Sequence, residues 1–141
     1  EWADVVNGTY YFAVKPDVTG VSRPATLQVC TTDNTLYRLK DVFGQGANMK
    51  FQLLPDYTAK DADGTYTYFR IPATETPFTY GNYGTVSVRD IGYWQGSSAW
   101  ITDNGYESGM YEDYYCFFCI QYYVSAGSLG YKYEYFVPDA E

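Results

Sequence analysis

The chain contains no histidine, and this one absence removes several kinds of chemistry together. Ser-His-Asp and Cys-His catalysis, histidine-based zinc sites and a charge switch near neutral pH all depend on an imidazole. Basic residues are also scarce, since 9 Lys and Arg stand against 17 Asp and Glu, for a net charge of −8. Because nucleic-acid binding relies on clustered Lys and Arg at the phosphates, we expect no nucleic-acid partner.

Cysteine occurs only at positions 30, 116 and 119. The Cys116-x-x-Cys119 spacing resembles redox and zinc motifs, but it lies within a predicted strand. There the two residues point to opposite faces and stand ~10 Å apart, whereas a disulfide needs Cα atoms within ~7 Å. We therefore predict two small buried hydrophobic side chains, with no metal and no cofactor. A disulfide from Cys30 to either of them stays open.

Long apolar segments are missing as well, and no signal peptide or membrane span is visible. The sequence begins at Glu1 without a methionine, so we expect a mature or trimmed fragment of a longer exported protein. Its export signal, and any lipid anchor, would then lie outside this sequence. Residues 1–141 show no repeat and no linker, which predicts a single domain.

Aromatic residues, in contrast, make up 21% of the chain, and 18 of them are tyrosines. Tyrosine favours pleated, half-buried surfaces. Turn signals recur about every ten residues, and no segment has a convincing helical period. We predict an all-β domain with little or no helix, an antiparallel β-barrel or β-sandwich of about eight strands. A lipocalin-like barrel is preferred.

The most distinctive segment is a predicted hairpin over residues 114–137. Its first arm, YYCFFCIQYYV, is apolar at both sets of alternating positions, which is typical of a strand covered on both sides. In the second arm, YKYEYFV, aromatic and charged residues alternate. We expect the face with Tyr131, Tyr133, Tyr135 and Val137 to lie against the core and Lys132 and Glu134 to face water.

The strongest candidate binding segment is a predicted loop over residues 92–113. Sugars present an apolar CH face and a rim of hydroxyls, so a glycan site needs a flat aromatic platform beside polar acceptors. Trp94 with Gln95, and Trp100 with Asp103, supply this combination, and Tyr93 lies next to them. The alternative is that these aromatic side chains fold back and close one end of the barrel.

A second candidate patch lies in a predicted loop over residues 73–84, where Tyr80, Tyr83 and Phe78 occur near glycines. Such a loop suits adaptable recognition. A loop held in place by its own aromatic side chains explains the pattern equally well.

Acidic residues raise two further possibilities. Asp61, Asp63 and Gly64 resemble the start of a calcium-binding loop, but the remaining ligands are missing and Asp-Gly is a common hairpin turn. Carboxylate pairs for glycoside hydrolysis would come from five residues of polar segments: Asp90, Asp103, Glu107, Glu112 and Asp113. Since these segments leave most carboxylates solvated, we predict neither a metal site nor an enzyme.

Two stretches carry a resemblance to a known family. The opening W-x-D-x-x-x-G-T-Y, residues 2–10, and the closing hairpin YYVSAGSLGYKYEYF, residues 122–136, resemble a family of Bacteroidetes cell-surface lipoprotein domains. Such domains are often found behind an immunoglobulin-like domain of the BACON kind. The resemblance implies export, an extracellular or outer-membrane setting, and a barrel or sandwich fold. It supplies no catalytic residues, because no function is established for the family.

These observations together predict an exported, non-catalytic binding module that contacts a glycan through aromatic loops. The first alternative is a structural or assembly module that makes protein–protein contacts at the cell surface. The second is a barrel that carries a small ligand in its interior. The second face of the first hairpin arm, with Tyr115, Phe117, Gln121 and Tyr123, would line that cavity.

Overall fold

The structure, a computed structural model, describes residues 1–13, 22–91 and 106–140. Ten strands lie in these residues. They are β1 (Trp2–Tyr11), β2 (Ser22–Cys30), β3 (Asp33–Lys40), β4 (Met49–Asp61), β5 (Gly64–Arg70), β6 (Thr74–Thr79), β7 (Thr85–Asp90), β8 (Ser108–Tyr111), β9 (Cys116–Val124) and β10 (Gly127–Pro138). A single 3-10 turn at Gly81–Tyr83 joins β6 to β7.

Eight of the strands close into an antiparallel barrel. Their order is β1-β2-β3-β4-β5-β8-β9-β10, and β10 pairs back with β1. Along one edge of β9, the first residues pair with β8 and the later residues pair with β7. β6 in turn pairs with β7. The prediction of an all-β barrel of about eight strands is confirmed. Within the described residues, no helix is long and apolar enough to cross a bilayer.

Alternating apolar residues fill the barrel interior. In β4, Met49 and Phe51 are fully buried while Lys50 is exposed, and β7, which is not one of the eight barrel strands, adds Val86 and Val88 to the same core. An eight-stranded barrel has an interior just wide enough for side chains to fill. Here aromatic rings occupy much of it, with Phe51 4.4 Å from Phe69 and 5.4 Å from Phe118, centroid to centroid. The largest fully buried side chains include Tyr10, Tyr122, Phe43, Phe51, Phe69, Phe118 and Phe136.

The predicted double-sided strand is β9. Cys116 and Phe118 belong to the interior core, while Cys119 is fully buried on the opposite face. The two cysteines therefore point apart, as predicted, and Cys30, Cys116 and Cys119 are all free thiols. Burial raises the pKa of both Cys116 and Cys119, the latter to about 11. Neither thiol is therefore a reactive thiolate at neutral pH.

For the second arm of the hairpin, the prediction of which residues face the core and which face water is wrong. In β10 the carboxylate of Glu134 and the ring of Phe136 are fully buried, whereas Tyr135 and Val137 are 38% and 37% exposed. The reason is that Glu134 finds partners inside the barrel. Its Oε1 accepts hydrogen bonds from the hydroxyls of Tyr10 (2.7 Å) and Tyr122 (3.0 Å). The side chains at 131 and 132 lie outside the described part of the chain.

Two predicted loops also contain strands. The segment 73–84 holds β6 and the 3-10 turn, and the end of segment 92–113 holds β8. Pro77 in β6 obscures the strand pattern, which suits its position at the edge of the sheet. In β8 the sequence SGMY is too short to show alternation.

Replacing Glu134 tests the buried carboxylate. Glu134→Leu leaves the Tyr10 and Tyr122 hydroxyls without an acceptor, so we expect the free energy of unfolding in urea to fall by about 3 kcal/mol. Glu134→Gln retains one acceptor oxygen and should cost less. Glu75→Gln, at an exposed glutamate, is the control and should leave stability unchanged. A Glu134→Leu protein as stable as the wild type would contradict this role.

The interior tyrosines predict a loss of stability at alkaline pH. Burial, followed by the negative charge of Glu134, raises the pKa of Tyr10 and Tyr122 well above 10.0. Above about pH 10 the unfolded chain releases these protons while the folded chain keeps them, so the free energy of unfolding should decline as pH rises. Urea denaturation of Tyr122→Phe should show a shallower decline than that of Tyr11→Phe, a change at an exposed tyrosine. Wild-type stability that does not change above pH 10 would refute the prediction.

Candidate functional site

A groove of about 850 Å³ lies on the outer face of the barrel. It crosses β5, β8, β9 and β10, on the face opposite to the core residues Phe69, Met110, Phe118 and Phe136. Six tyrosines, one phenylalanine and four acidic residues line it: Tyr66, Tyr68, Tyr111, Tyr115, Tyr133, Tyr135, Phe117, Asp61, Asp63, Glu107 and Asp113. This volume is in the range of small-molecule and oligosaccharide sites.

The rings of the groove form a continuous band across the strands. The Tyr66 centroid lies 5.1 Å from Phe117 and 5.2 Å from Tyr111. Tyr111 lies 5.8 Å from Tyr115, which lies 6.2 Å from Tyr135 on β10. These are edge and tilted contacts, the arrangements that aromatic pairs prefer. Each of these rings is in contact with its neighbours. We call the set of Tyr66, Tyr68, Tyr111, Tyr115, Phe117 and Tyr135 the tyrosine band.

A glycine makes the centre of the band possible. Gly109 of β8 lies beneath the rings of Phe117 and Tyr66, and a Cβ at this position would come within 2.7 and 2.8 Å of them. Real Cβ atoms do not approach other atoms so closely. The absence of a side chain on β8 therefore lets rings from β5 and β9 meet across it.

Carboxylates surround the band. Asp61, Asp63 and Asp113 are exposed, and Glu107 is buried. The hydroxyl of Tyr111 donates a hydrogen bond of 2.5 Å to Asp61 Oδ2, which lowers the pKa of Asp61 and raises that of Tyr111. Glu107 forms an ion pair of 2.9 Å with Arg70 Nη1. No basic side chain is among the described residues that line the groove.

One end of the groove adjoins a small second core. Ile91 and Cys119 are buried there, with Tyr106 and Tyr133 packed against them. The backbone N–H of Cys119 donates to Ser108 Oγ at 2.8 Å, which ties β9 to β8. Ile91 and Tyr106 are the described residues that flank segment 92–105, and they meet beside the groove.

The principal candidates predicted from sequence lie outside the described residues. These are Tyr93, Trp94, Gln95, Trp100 and Asp103. Their role in binding therefore stays a prediction.

The second predicted patch is divided by the structure. Tyr80 and Tyr83 are 52% and 58% exposed and stack with centroids 5.9 Å apart and an interplanar angle of 26°. Phe78, in contrast, is a core residue of β6, 4% exposed and packed edge-on to Phe43. The two tyrosines form a small aromatic tip on the 3-10 turn.

The acidic candidates have varied surroundings. Asp61 pairs with Gly64 in the β4–β5 hairpin, so this motif is the predicted turn. No group of three or more Cys, Asp or Glu side chains that could hold a metal ion occurs in residues 1–13, 22–91 and 106–140. Asp90 is buried and accepts a hydrogen bond of 2.6 Å from the Ile71 N–H. Glu112 is exposed, and Glu107 and Asp113 line the groove.

The tyrosine band was not predicted from the sequence. Its signal is present in TYTYFR of β5, where Tyr66 and Tyr68 alternate with Thr67 and the buried Phe69. In the alternative of a ligand-carrying barrel, Tyr115 and Phe117 line an interior cavity, and this placement is wrong. Both line the outer groove, Phe117 from β9 and Tyr115 from the residue just before it, since Cys116 and Phe118 take the interior positions. On the same outer face, Gln121 Oε1 accepts a hydrogen bond from Arg89 Nε, whose guanidinium lies 4.0 Å above the Tyr123 ring.

Comparison with known proteins gave no relative. No protein-family model matches the chain, and neither a curated protein nor a solved structure matches it. The resemblance to Bacteroidetes lipoprotein domains therefore stays a prediction. The geometry of the groove is the main ground on which a function can be proposed.

Gly109→Ala tests whether close packing across β8 holds the tyrosine band together. The added Cβ displaces Phe117 or Tyr66, so we expect the free energy of unfolding to fall by about 1–3 kcal/mol. Adding Phe117→Leu in the same chain removes the nearest ring atoms and should restore part of the loss. The measurement is a double-mutant cycle by urea denaturation. Strict additivity of the two changes would show that the packing does not couple them.

Proposed function

We propose that the protein is a non-catalytic binding module that holds a glycan in the groove of the tyrosine band. The observation that carries the proposal is the combination of half-buried rings and charged carboxylates in one 850 Å³ groove. Tyrosine rings suit the apolar CH faces of sugar units, and carboxylates accept hydrogen bonds from sugar hydroxyls. Both kinds of group line the same groove.

Preorganised rings also support binding. Tyr66 and Tyr111 project from strands, Tyr115 immediately precedes β9, and each contacts at least one other ring. Ordering side chains on binding costs roughly 0.5–1.5 kcal/mol for each flexible side chain. Rings that are already fixed avoid much of this cost.

The surroundings of Asp61 suit hydrogen bonding rather than the role of a general acid. A glycosidase needs a carboxyl group whose pKa is raised so that it can protonate the leaving oxygen. The hydrogen bond from Tyr111 lowers the pKa of Asp61 instead. Asp61 is thus suited to accept hydrogen bonds as a carboxylate.

We further propose an exported protein at the cell surface or outside the cell, held at a membrane only through a lipid anchor beyond this sequence. The two family-like stretches support this setting. Residues 122–136 of the closing motif form parts of β9 and β10, which contribute Tyr133 and Tyr135 to the groove.

The alternative role, protein–protein contact, has one observation in its favour. Tyr80 and Tyr83 form an exposed stacked pair on the turn between β6 and β7. Exposed tyrosines are frequent at protein interfaces. A barrel that carries a ligand in its interior has less support, because aromatic rings pack the core.

A glycan-array screen followed by calorimetry tests the proposal. We expect the wild type to bind at least one class of oligosaccharide and Tyr115→Ala to weaken that binding roughly tenfold, since a ring of the platform is lost. Tyr57→Ala is the matched control, because Tyr57 is a 63% exposed tyrosine that does not line the groove. Equal loss in both variants, or no glycan bound, would refute the proposal.

Three further variants assign the binding surface. Trp94→Ala and Trp100→Ala test the segment predicted from sequence, and Tyr83→Ala tests the aromatic tip. If Tyr115→Ala leaves glycan binding intact while a tryptophan variant abolishes it, the groove is not the glycan site.

A further inference from the structure

We propose that the groove selects glycans that carry positive charge, with 2-amino-2-deoxy sugars that lack the N-acetyl group as the ligand class. This inference rests on the proposed glycan binding and adds the chemical selectivity of the same groove. It follows from the distribution of charge around the tyrosine band.

The lining of the groove is acidic. Among the described lining residues, four are carboxylates and none is Lys or Arg. The buried Glu107 is ion-paired to Arg70, which leaves Asp61, Asp63 and Asp113 as exposed charges around the rings. The net charge of −8 adds a long-range negative potential. Sulfated sugars and uronic acids would be repelled from such a groove.

The aromatic rings also favour a positively charged ligand. The face of a tyrosine ring attracts a cation within about 6 Å of its centroid. Within this protein, Arg89 already makes such a contact with Tyr123, 4.0 Å from the ring centroid, on the outer face of β9. An ammonium group on a sugar can therefore meet both a ring face and a carboxylate while the CH face of the sugar stacks on the band.

The rings of the groove extend further than its rim carboxylates. Asp61 ends β4, Asp63 lies in the β4–β5 turn, and Asp113 lies in the turn between β8 and β9. Since Tyr66 pairs with Tyr111, these two turns lie at the same end of the band. The rings continue from Tyr115 to Tyr135 on β10. A chain of amino sugars would thus stack on rings across several strands while an ammonium group meets the carboxylates at one end.

Calorimetry with three matched hexamers tests the selectivity. The ligands are a glucosamine hexamer, its N-acetylated form and a neutral glucose hexamer, at about pH 5.5, where carboxylates remain ionised. We expect the glucosamine hexamer to bind at least tenfold more tightly than the other two. Raising the salt concentration should weaken its binding and leave that of the neutral hexamer unchanged.

Charge-removing variants locate the effect. Asp63→Asn and Asp113→Asn should each weaken binding of the glucosamine hexamer about three- to tenfold, because each removes a rim charge. Asparagine at 113 keeps the oxygen that accepts the Tyr115 N–H. Asp56→Asn is the control, since Asp56 is an exposed aspartate that does not line the groove. An equal effect of Asp56→Asn would overturn the assignment to the rim.

The remaining outcomes separate this inference from the proposed function. Equal affinity for all three hexamers, lost in Tyr115→Ala, would overturn charge selectivity and leave glycan binding in place. Absence of binding to any hexamer and on the glycan array would overturn both. A lysine-rich peptide of the same charge that binds as tightly as the glucosamine hexamer would overturn the sugar assignment and favour a basic protein partner.

Discussion

The register of the strands that close the barrel depends on the hydrogen bonds of the Glu134 carboxylate. The carboxylate is fully buried, and it accepts hydrogen bonds from Tyr10 on β1 and Tyr122 on β9 while it belongs to β10. Its Oε2 also accepts from the Ala13 N–H at 3.2 Å. A buried charge without such partners is strongly destabilising. A shift of β10 by one residue would turn Glu134 outward and leave two buried hydroxyls without their acceptor.

The same register creates the outer groove. Since Glu134 and Phe136 point inward, Tyr133 and Tyr135 must point outward, next to Phe117 of β9 and to Tyr115, which precedes it. The band then continues to Tyr66 because Gly109 leaves room above β8. An interior hydrogen-bond network and an exterior aromatic surface are thus two consequences of one strand position. Stability and the candidate binding site are coupled through it.

The sequence predicted the barrel because alternation is a local property. Residues such as Met49, Lys50 and Phe51 alternate cleanly, and the double-sided pattern of β9 correctly indicated cover on both faces. For β10, alternation alone could not predict which side chains face the core. A charged residue between tyrosines suggests water, and the partners that make the interior acceptable for Glu134 include the distant Tyr10, 124 positions away.

The candidate site was missed for a related reason. Tyrosine suits both a core and a wet surface, so the pattern of Tyr66 and Tyr68 does not reveal which face is buried. The decision depends on Phe69 and Gly109, which lie in different strands. Tyr10 and Tyr111 show both uses, since each donates its hydroxyl to a carboxylate, one inside the barrel and one in the groove. Inside, this pairing fixes the register, whereas outside it fixes the Tyr111 ring beside the exposed carboxylates of Asp61, Asp63 and Asp113.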